Sequence, residues 1–484
     1  MRLRALIATT LATVFLASPS ARASAATPSP QESSQETVAD MSILAESGDA
    51  DAQCRLGTYY SEGPAAARDM EKARLWFQKA ADQGYAEGQR RLGRLYDFLD
   101  PEHADPKQAA HWYALAAEQN DPVALNNLGL LYLRGQGVPR SVERGLAHIR
   151  RAAEQGYGLA QFNLGDHYQH GYDGVPVDLA AAVRWLEKGA AAGDAKCQLR
   201  LGWLYHQGKG VPRNEARAFA LYQKAARQGD GDAQYNLGIV YRKGQVVERD
   251  CTRSHYWFKK AAAQGNTDAM FNLGMAEGDG ECPAETPEEA VRWLKAAADN
   301  GHGAAAFNLG DLYRTGDAGV PLNLKESFRW FLRGAELGSP AARCALGVSY
   351  AHGRGVEPDH AQAVRWLRPL ADEKNACGLC NLGFLYEQGW GVPRSDRDAV
   401  LLFRQAAELG LAACQFNVAC MYRDGRGTVR NAAEAFFWFA LADRAGRAQA
   451  GVKAAQMRAQ LSAAQIAMIE RRLAAWKPAG GESP

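Results

Sequence analysis

Residues 232–265 read DAQYNLGIVYRKGQVVERDCTRSHYWFKKAAAQG, and this stretch sets the fold. Ala233, Leu237 and Tyr241 fall four apart, which places them on one face of a first helix. Trp257, Ala261 and Ala262 mark a second helix after Asp250, and Gln264-Gly265 ends it, glycine being able to take the left-handed conformation there. Gly238 sits inside the first helix, where glycine costs roughly 1 kcal/mol against alanine. The same glycine recurs at 57, 93, 129, 165, 202, 238, 274, 310, 347 and 383, in steps of 36 or 37 residues. A period of that size means stacked units, none of which buries its own apolar face alone. Ten glycines in one register need a reason, and close approach of another helix backbone is the expectation.

The link between the two helices is equally regular. Gly135-Gln136-Gly137-Val138-Pro139, Gly208-Lys209-Gly210-Val211-Pro212 and Gly389-Trp390-Gly391-Val392-Pro393 each close a first helix and tuck in a valine. The second helix opens at a capping residue, as at Asp178, Asn214, Asn323 and Asp359, with capping boxes expected at Thr286/Glu289, Ser395/Asp398 and Asn431/Glu434. A phosphate cradle is excluded, because no strand precedes these glycines and no Lys-Ser/Thr follows. Tryptophans at 76, 112, 185, 257, 293, 330, 366 and 438 form a column in the second helix, with His148, Leu221 and Leu402 in the gaps. Their register predicts a buried seam, where truncation to alanine costs roughly 3 to 5 kcal/mol.

These phrases resemble the Sel1-like repeat, a relative of the tetratricopeptide repeat. AQYNLGIVY at 233–241 and GVPRNEARAFALYQKAARQG at 210–229 carry the resemblance, which spans nearly the whole chain in eleven copies. It implies an all-α, right-handed α-solenoid of about eleven helix-turn-helix repeats over 51–446. A half-repeat at 37–50 and a helical pair at 447–476 are expected to cap the ends, with a disordered tail at 477–484. Repeat 2 departs from the pattern between Phe98 and Pro106, repeat 7 at Ala276-Glu277 and repeat 11 at Val418-Ala419.

The start of the chain differs. Arg2 and Arg4 precede an apolar run from Ala5 to Ala17, and Ala23-Ser24-Ala25 offers small residues for cleavage. Residues 1–25 therefore read as a signal peptide and 26–36 as a linker, which places the product in a bacterial periplasm. About 13 apolar residues are too few to span a bilayer, for which roughly 20 are needed. Lys plus Arg number 56 against 54 Asp plus Glu, and losing Arg2, Arg4 and Arg22 leaves 53 against 54. Such a balance gives no reason to expect nucleic acid as a partner, and a monomer is favoured.

No residue set announces a reaction, and neither catalytic residue, cofactor nor metal is expected. His167, His170 and His206 lack a metal-ligand spacing and read as solvated side chains. Cys377-x-x-Cys380 lies inside a helix, and Cys54, Cys344 and Cys380 stand three before the landmark glycine, so buried free thiols are expected. A bridge among Cys414, Cys420 and Cys377 stays open, and nine cysteines leave at least one unpaired. Some secreted cysteine-rich relatives have been linked with penicillin binding and weak β-lactam hydrolysis. This chain does not share their cysteine register and has no Ser-x-x-Lys in a nucleophile setting.

By the same resemblance the first helices line a concave surface, exposing positions three before and one, four and five after each glycine. The candidate partner-binding residues are Phe162, Trp203, His206, Tyr235, Ile239, Arg242, Phe271, Met275, Phe307, Arg314, Phe384, Phe416 and Arg423. Aromatic anchors with interleaved arginine suit a protein or peptide partner, since such residues carry most interface energy. The function expected is an exported, non-enzymatic interaction scaffold. A regulator of a cell-wall hydrolase and a weak β-lactam- or peptidoglycan-acting hydrolase are the alternatives.

Overall fold

The computed structural model describes residues 38–275, 282, 286–317 and 319–479, and among these the secondary structure is helical. The expected leader and linker, and the departure at Ala276-Glu277, lie outside the described residues. Each repeat is a first helix, A, and a second helix, B, and most run 13 residues. The chain divides into two compact units, Met1–Gln155 and Gly156–Pro484. The first contains a helix at Val38–Glu46 and repeats 1–3, from Ala50–Glu62 to Val142–Glu154. The second contains repeats 4–11, from Gly158–His170 to Ala432–Arg444, then helices at Ala450–Arg458 and Ala463–Ala475. This is the architecture of an α-solenoid. Beyond the last helix Ala479 N–H donates to the Glu408 carbonyl at 2.8 Å.

Repeat 6 shows how the sequence makes a unit. Asp230 caps Gly231–Lys243 by accepting from Ala233 N–H at 2.8 Å, and Gly244 ends it at φ +66°. Asp250 caps Cys251–Ala263 in the same way through Arg253 N–H. Thr286, Ser395 and Asn431 also accept from the third helical N–H, while both halves of a capping box occur at Ser462/Gln465.

The landmark glycines meet a side chain more than a backbone, which corrects the expectation of helix-to-helix contact. A Cβ placed on Gly57 would lie 2.7 Å from Phe77, on Gly93 2.7 Å from Tyr113, and on Gly202 2.7 Å from Tyr222. Ile149, Leu186, Phe258, Leu294, Phe331, Leu367 and Phe403 fill the same place against the other seven. The opposing residue always immediately follows the tryptophan column or its substitute in helix B. It is this column that is buried: Phe77 and Phe403 are 0 % exposed and Phe258 1 %.

The tryptophan column was expected to form the seam and does so only at its flank. Trp112 and Trp438 are buried, whereas the other six are half-buried. Lysines lie over two of those rings, Lys79 at 4.1 Å from Trp76 and Lys188 at 4.3 Å from Trp185. Adjacent residues on a helix point about 100° apart, so a column aimed at the glycine leaves the tryptophans to one side.

A polar ladder supplements this packing. Gln234, four before its glycine, donates to the Ala226 carbonyl at 3.3 Å and accepts from Gln264 at 2.9 Å; Gln264 also donates to the Gly229 carbonyl at 2.8 Å. The pairs Gln83–Gln53, Gln119–Gln89 and Gln228–Gln198 repeat the bond at 2.8, 2.9 and 2.9 Å. The pairs lie within a repeat, while Gln53, Gln89, Gln198 and Gln234 also donate to a carbonyl at the end of the preceding helix and so tie one unit to the one before it. The departures are absorbed locally. In repeat 2 a π turn at Leu95–Leu99 and a 3-10 turn at Pro101–His103 replace the glycine turn, and in repeat 11 Phe439 is buried opposite the Ala419 region.

Replacing Phe258 with alanine should cost about 3–5 kcal/mol. The Trp257→Ala change should cost clearly less, because that ring is half-buried. Denaturant titration of the two variants checks this, and equal losses would place the seam back on the tryptophans.

Candidate functional site

Within the second unit successive A helices approach one another, as in Gly303–Thr315, Pro340–His352 and Ala376–Gln388, more extensively than successive B helices do. The A-helix face is therefore where side chains of several repeats converge. Arg314 is exposed, and the other twelve candidate residues are half-buried.

Most of these rings pack against a neighbour while keeping an edge free. Phe271 stacks on His302 at 4.5 Å, Phe307 on Phe331 at 5.8 Å, and Phe416 meets Phe439 edge-on at 5.3 Å. Tyr235 tilts against Phe258 at 5.8 Å, and Phe384 contacts Trp390 at 5.5 Å. Ile239 and Met275 join the core around Phe258, and Asn308 Nδ2 donates to Met275 Sδ at 2.9 Å. The polar candidates are tied down nearby. His206 Nδ1 pairs with Glu215 at 2.7 Å, Arg314 with Asp311 at 2.6 Å and Arg423 with Asp424 at 2.7 Å, while Arg242 lies 6.0 Å from the Phe258 ring.

Two hollows open on this face. Phe162 and Trp203 line one of about 380 Å³, where Lys196 and Arg200 meet Asp230 and Asp232. Burial pushes the Asp230 carboxyl above its ordinary range. The larger hollow, about 690 Å³, crosses repeats 8–11 and takes in Phe307 and Arg314. The other nine candidates line neither. Val348, Arg354, Leu411 and the Cys344–Cys377 bridge, none of them among the candidate binding residues, also line the larger groove. A signal was present in repeat 9, PAARCALGVSYAHG, whose A helix puts alanine and cysteine where other repeats carry large side chains. Small residues there leave an open trough that Phe307 also lines.

The expectation of buried free thiols holds at Cys54 but is overturned at Cys344 and Cys380. Cys344 bonds to Cys377 and Cys380 to Cys414, with Cα atoms 6.3 and 5.9 Å apart, so the Cys377-x-x-Cys380 pair points to two different neighbours. The A helices of repeats 9, 10 and 11 are stapled in series. A third bridge joins Cys251 to Cys282. Cys54, Cys197 and Cys420 remain thiols, and burial pushes Cys54 up to about 12.

The histidines expected to be solvated are each held by a different carboxylate. His167 contacts Asp173 at 3.2 Å and His170 contacts Asp166 at 3.2 Å. Among the described residues no three His, Cys, Asp or Glu side chains are grouped to hold a metal, and no helix is long and apolar enough to cross a membrane.

A helical solenoid with a converging A-helix face defines a class of repeat protein, and comparison places it further. The Sel1 repeat family matches eleven times, at 50–85, 86–121, 122–157, 158–194, 195–230, 231–266, 267–302, 303–339, 340–375, 378–411 and 412–446. The chain belongs to the Sel1 repeat family. A similar solved structure is that of c5321, described as a protective antigen present in uropathogenic Escherichia coli strains, displaying an SLR fold. It is 32% identical with a TM-score of 0.65, covering 93% of this chain and 99% of that one. A Sel1 repeat protein from Oxalobacter formigenes is 31% identical with a TM-score of 0.47, covering 64% and 90%. No curated protein matches the chain.

Titration of the denatured, unreduced protein should find three thiols, and nine after reduction. Five or more before reduction would remove at least one bridge. Closing loops of 33 and 34 residues constrains the unfolded chain by about 3.5–4 kcal/mol per bridge, so reduction should lower the melting temperature of the second unit.

Proposed function

We propose that the protein is an exported, non-enzymatic scaffold that binds a partner protein or peptide along the A-helix face of repeats 4–11. The observation that carries this reading is the larger groove, where the half-buried Phe307, three alanines and two guanidinium groups from repeats 8–10, with Leu411 just before the repeat 11 helix, line one surface. Aromatic and arginine side chains held by surrounding packing lose little freedom on binding, which is what interface anchors require. The mechanism is geometric and involves no covalent step. Stacked helix pairs fix the spacing of the A helices, and the residues that vary between repeats select the partner.

Export is supported by the leader-like start, with its basic residues, apolar run and Ala23-Ser24-Ala25 site, and by the three bridges, which persist in oxidising compartments. A similar chain described as a protective antigen agrees with that setting. Sel1 repeat proteins are typically interaction scaffolds.

Photo-crosslinking residues installed at Ala345 on the A-helix face and at Tyr256 and Arg329 on B helices test the reading in the native envelope. Adducts should form from Ala345, and the Phe307→Ala change should diminish them while the helical circular dichroism signal persists. Adducts formed mainly from Tyr256 and Arg329 would put the partner on the opposite face.

A further inference from the structure

Three hollows of the described structure differ in charge, and the difference points to a ligand. The hollow at the N-terminal unit mixes Arg55 and Arg91 with Asp51, Glu62 and Glu87, and the one at Trp203 mixes two cations with two aspartates. The groove of repeats 8–11 is lined by two guanidinium groups, Arg314 and Arg354, and by no carboxylate. Its remaining surface is largely apolar, with Phe307, Val348, Leu411 and the bridged Cys344 and Cys377 among the lining residues. Its volume of about 690 Å³ falls within the range of about 300–1,000 Å³ typical of ligand sites.

The two arginines are not equivalent. Arg314 is paired with Asp311, whose Oδ1 accepts from Nε at 2.8 Å and from Nη2 at 2.6 Å. Arg354 is exposed and has no carboxylate at ion-pair distance among the described residues. An extra positive field there already acts on its neighbour: burial first, then repulsion from Arg354 and His360, holds the His352 imidazole below its ordinary range. The trough is also rigid, because Cys344–Cys377 and Cys380–Cys414 tie three consecutive A helices at fixed separations. A preformed groove spends little of its binding energy on ordering itself.

We propose that this groove docks an extended peptide segment in which acidic side chains flank a bulky apolar residue. The apolar side chain enters the trough between Phe307 and Val348, and a carboxylate meets Arg354, whose planar fork suits bidentate recognition. Charge complementarity selects this occupant over a basic or purely apolar segment, which would cover the Arg354 guanidinium without supplying a counter-charge. The inference rests on the A-helix face being the binding face and names the chemistry that one stretch of it would read.

The test uses the full oxidised chain and a short peptide, acetylated and amidated, with Phe-Leu set between two pairs of glutamates. One twin carries lysines for the glutamates and another carries serines for Phe-Leu. Fluorescence anisotropy should show the acidic-apolar peptide binding at least about tenfold more tightly than either twin. The Arg354→Glu change lies on an exposed side chain and should weaken binding at least fivefold with an unchanged melting temperature. Ala341→Trp, also at an exposed position, should fill the trough and abolish binding. Equal binding of the lysine twin, or affinity unmoved by both substitutions, would overturn the groove's assigned chemistry. That failure would leave the Ala345 crosslinks in place, whereas loss of those crosslinks would sink the broader reading as well.

Discussion

Everything in this chain depends on one contact, repeated ten times: a helix-A glycine that lacks a Cβ so that a large helix-B side chain can lie against it. Placing glycine inside a helix costs about 1 kcal/mol relative to alanine, yet the vacancy admits a Phe, Tyr, Leu or Ile whose burial contributes roughly 1.5–3 kcal/mol. The net gain holds A to B within a repeat. Where they occur, the glutamine bonds and, near the C-terminal end, the disulfides then tie neighbouring repeats. In repeat 11 alanine stands in the glycine column, and the aromatic core there is enlarged, with Phe436, Phe437, Trp438 and Phe439 all buried.

The contact also separates scaffold from site. Because the glycine takes its contact from helix B, the flank of helix A beside it is left free for other side chains. Large residues three before the glycine partly fill that face in repeats 6–8, through Tyr235, Phe271 and Phe307. Repeat 9 places Cys344 there and flanks it with Ala341 and Ala345, and the trough opens where those volumes are missing. The two bridges lie where large side chains would otherwise pack. They replace lost contact area by covalent constraint and leave the surface concave.

Period, caps and turns were legible in the sequence because each is a local requirement of the backbone: Asp230 and Asp250 cap, Gly244 turns, and their spacing repeats. The side chain opposite the glycine was not, since Trp257 and Phe258 differ by one position and hydrophobic periodicity does not fix a helix's rotation to that precision. Trp is the more conspicuous residue and drew the seam to itself. Cysteine pairing was hidden for another reason. Cys377 and Cys380 are neighbours along one helix, and their partners Cys344 and Cys414 come from the repeats on either side, a relation set by stacking and not by local spacing. Of the groove, Phe307 and Arg314 were legible from their register, while Arg354 lies in the turn and Leu411 before the next helix, outside the columns that periodicity singles out.

The central claim is that Gly238 is small because Phe258 is large, and a double-mutant cycle on these two positions tests it. In the wild-type background Gly238→Ala should destabilise the fold by about 1–3 kcal/mol, the usual cost of overpacking. In a Phe258→Ala background the same change should become neutral or stabilising, because alanine is the better helix former once the ring is gone. A Gly238→Ala effect of the same sign and size in both backgrounds would show that the glycine serves some purpose other than making room for the ring.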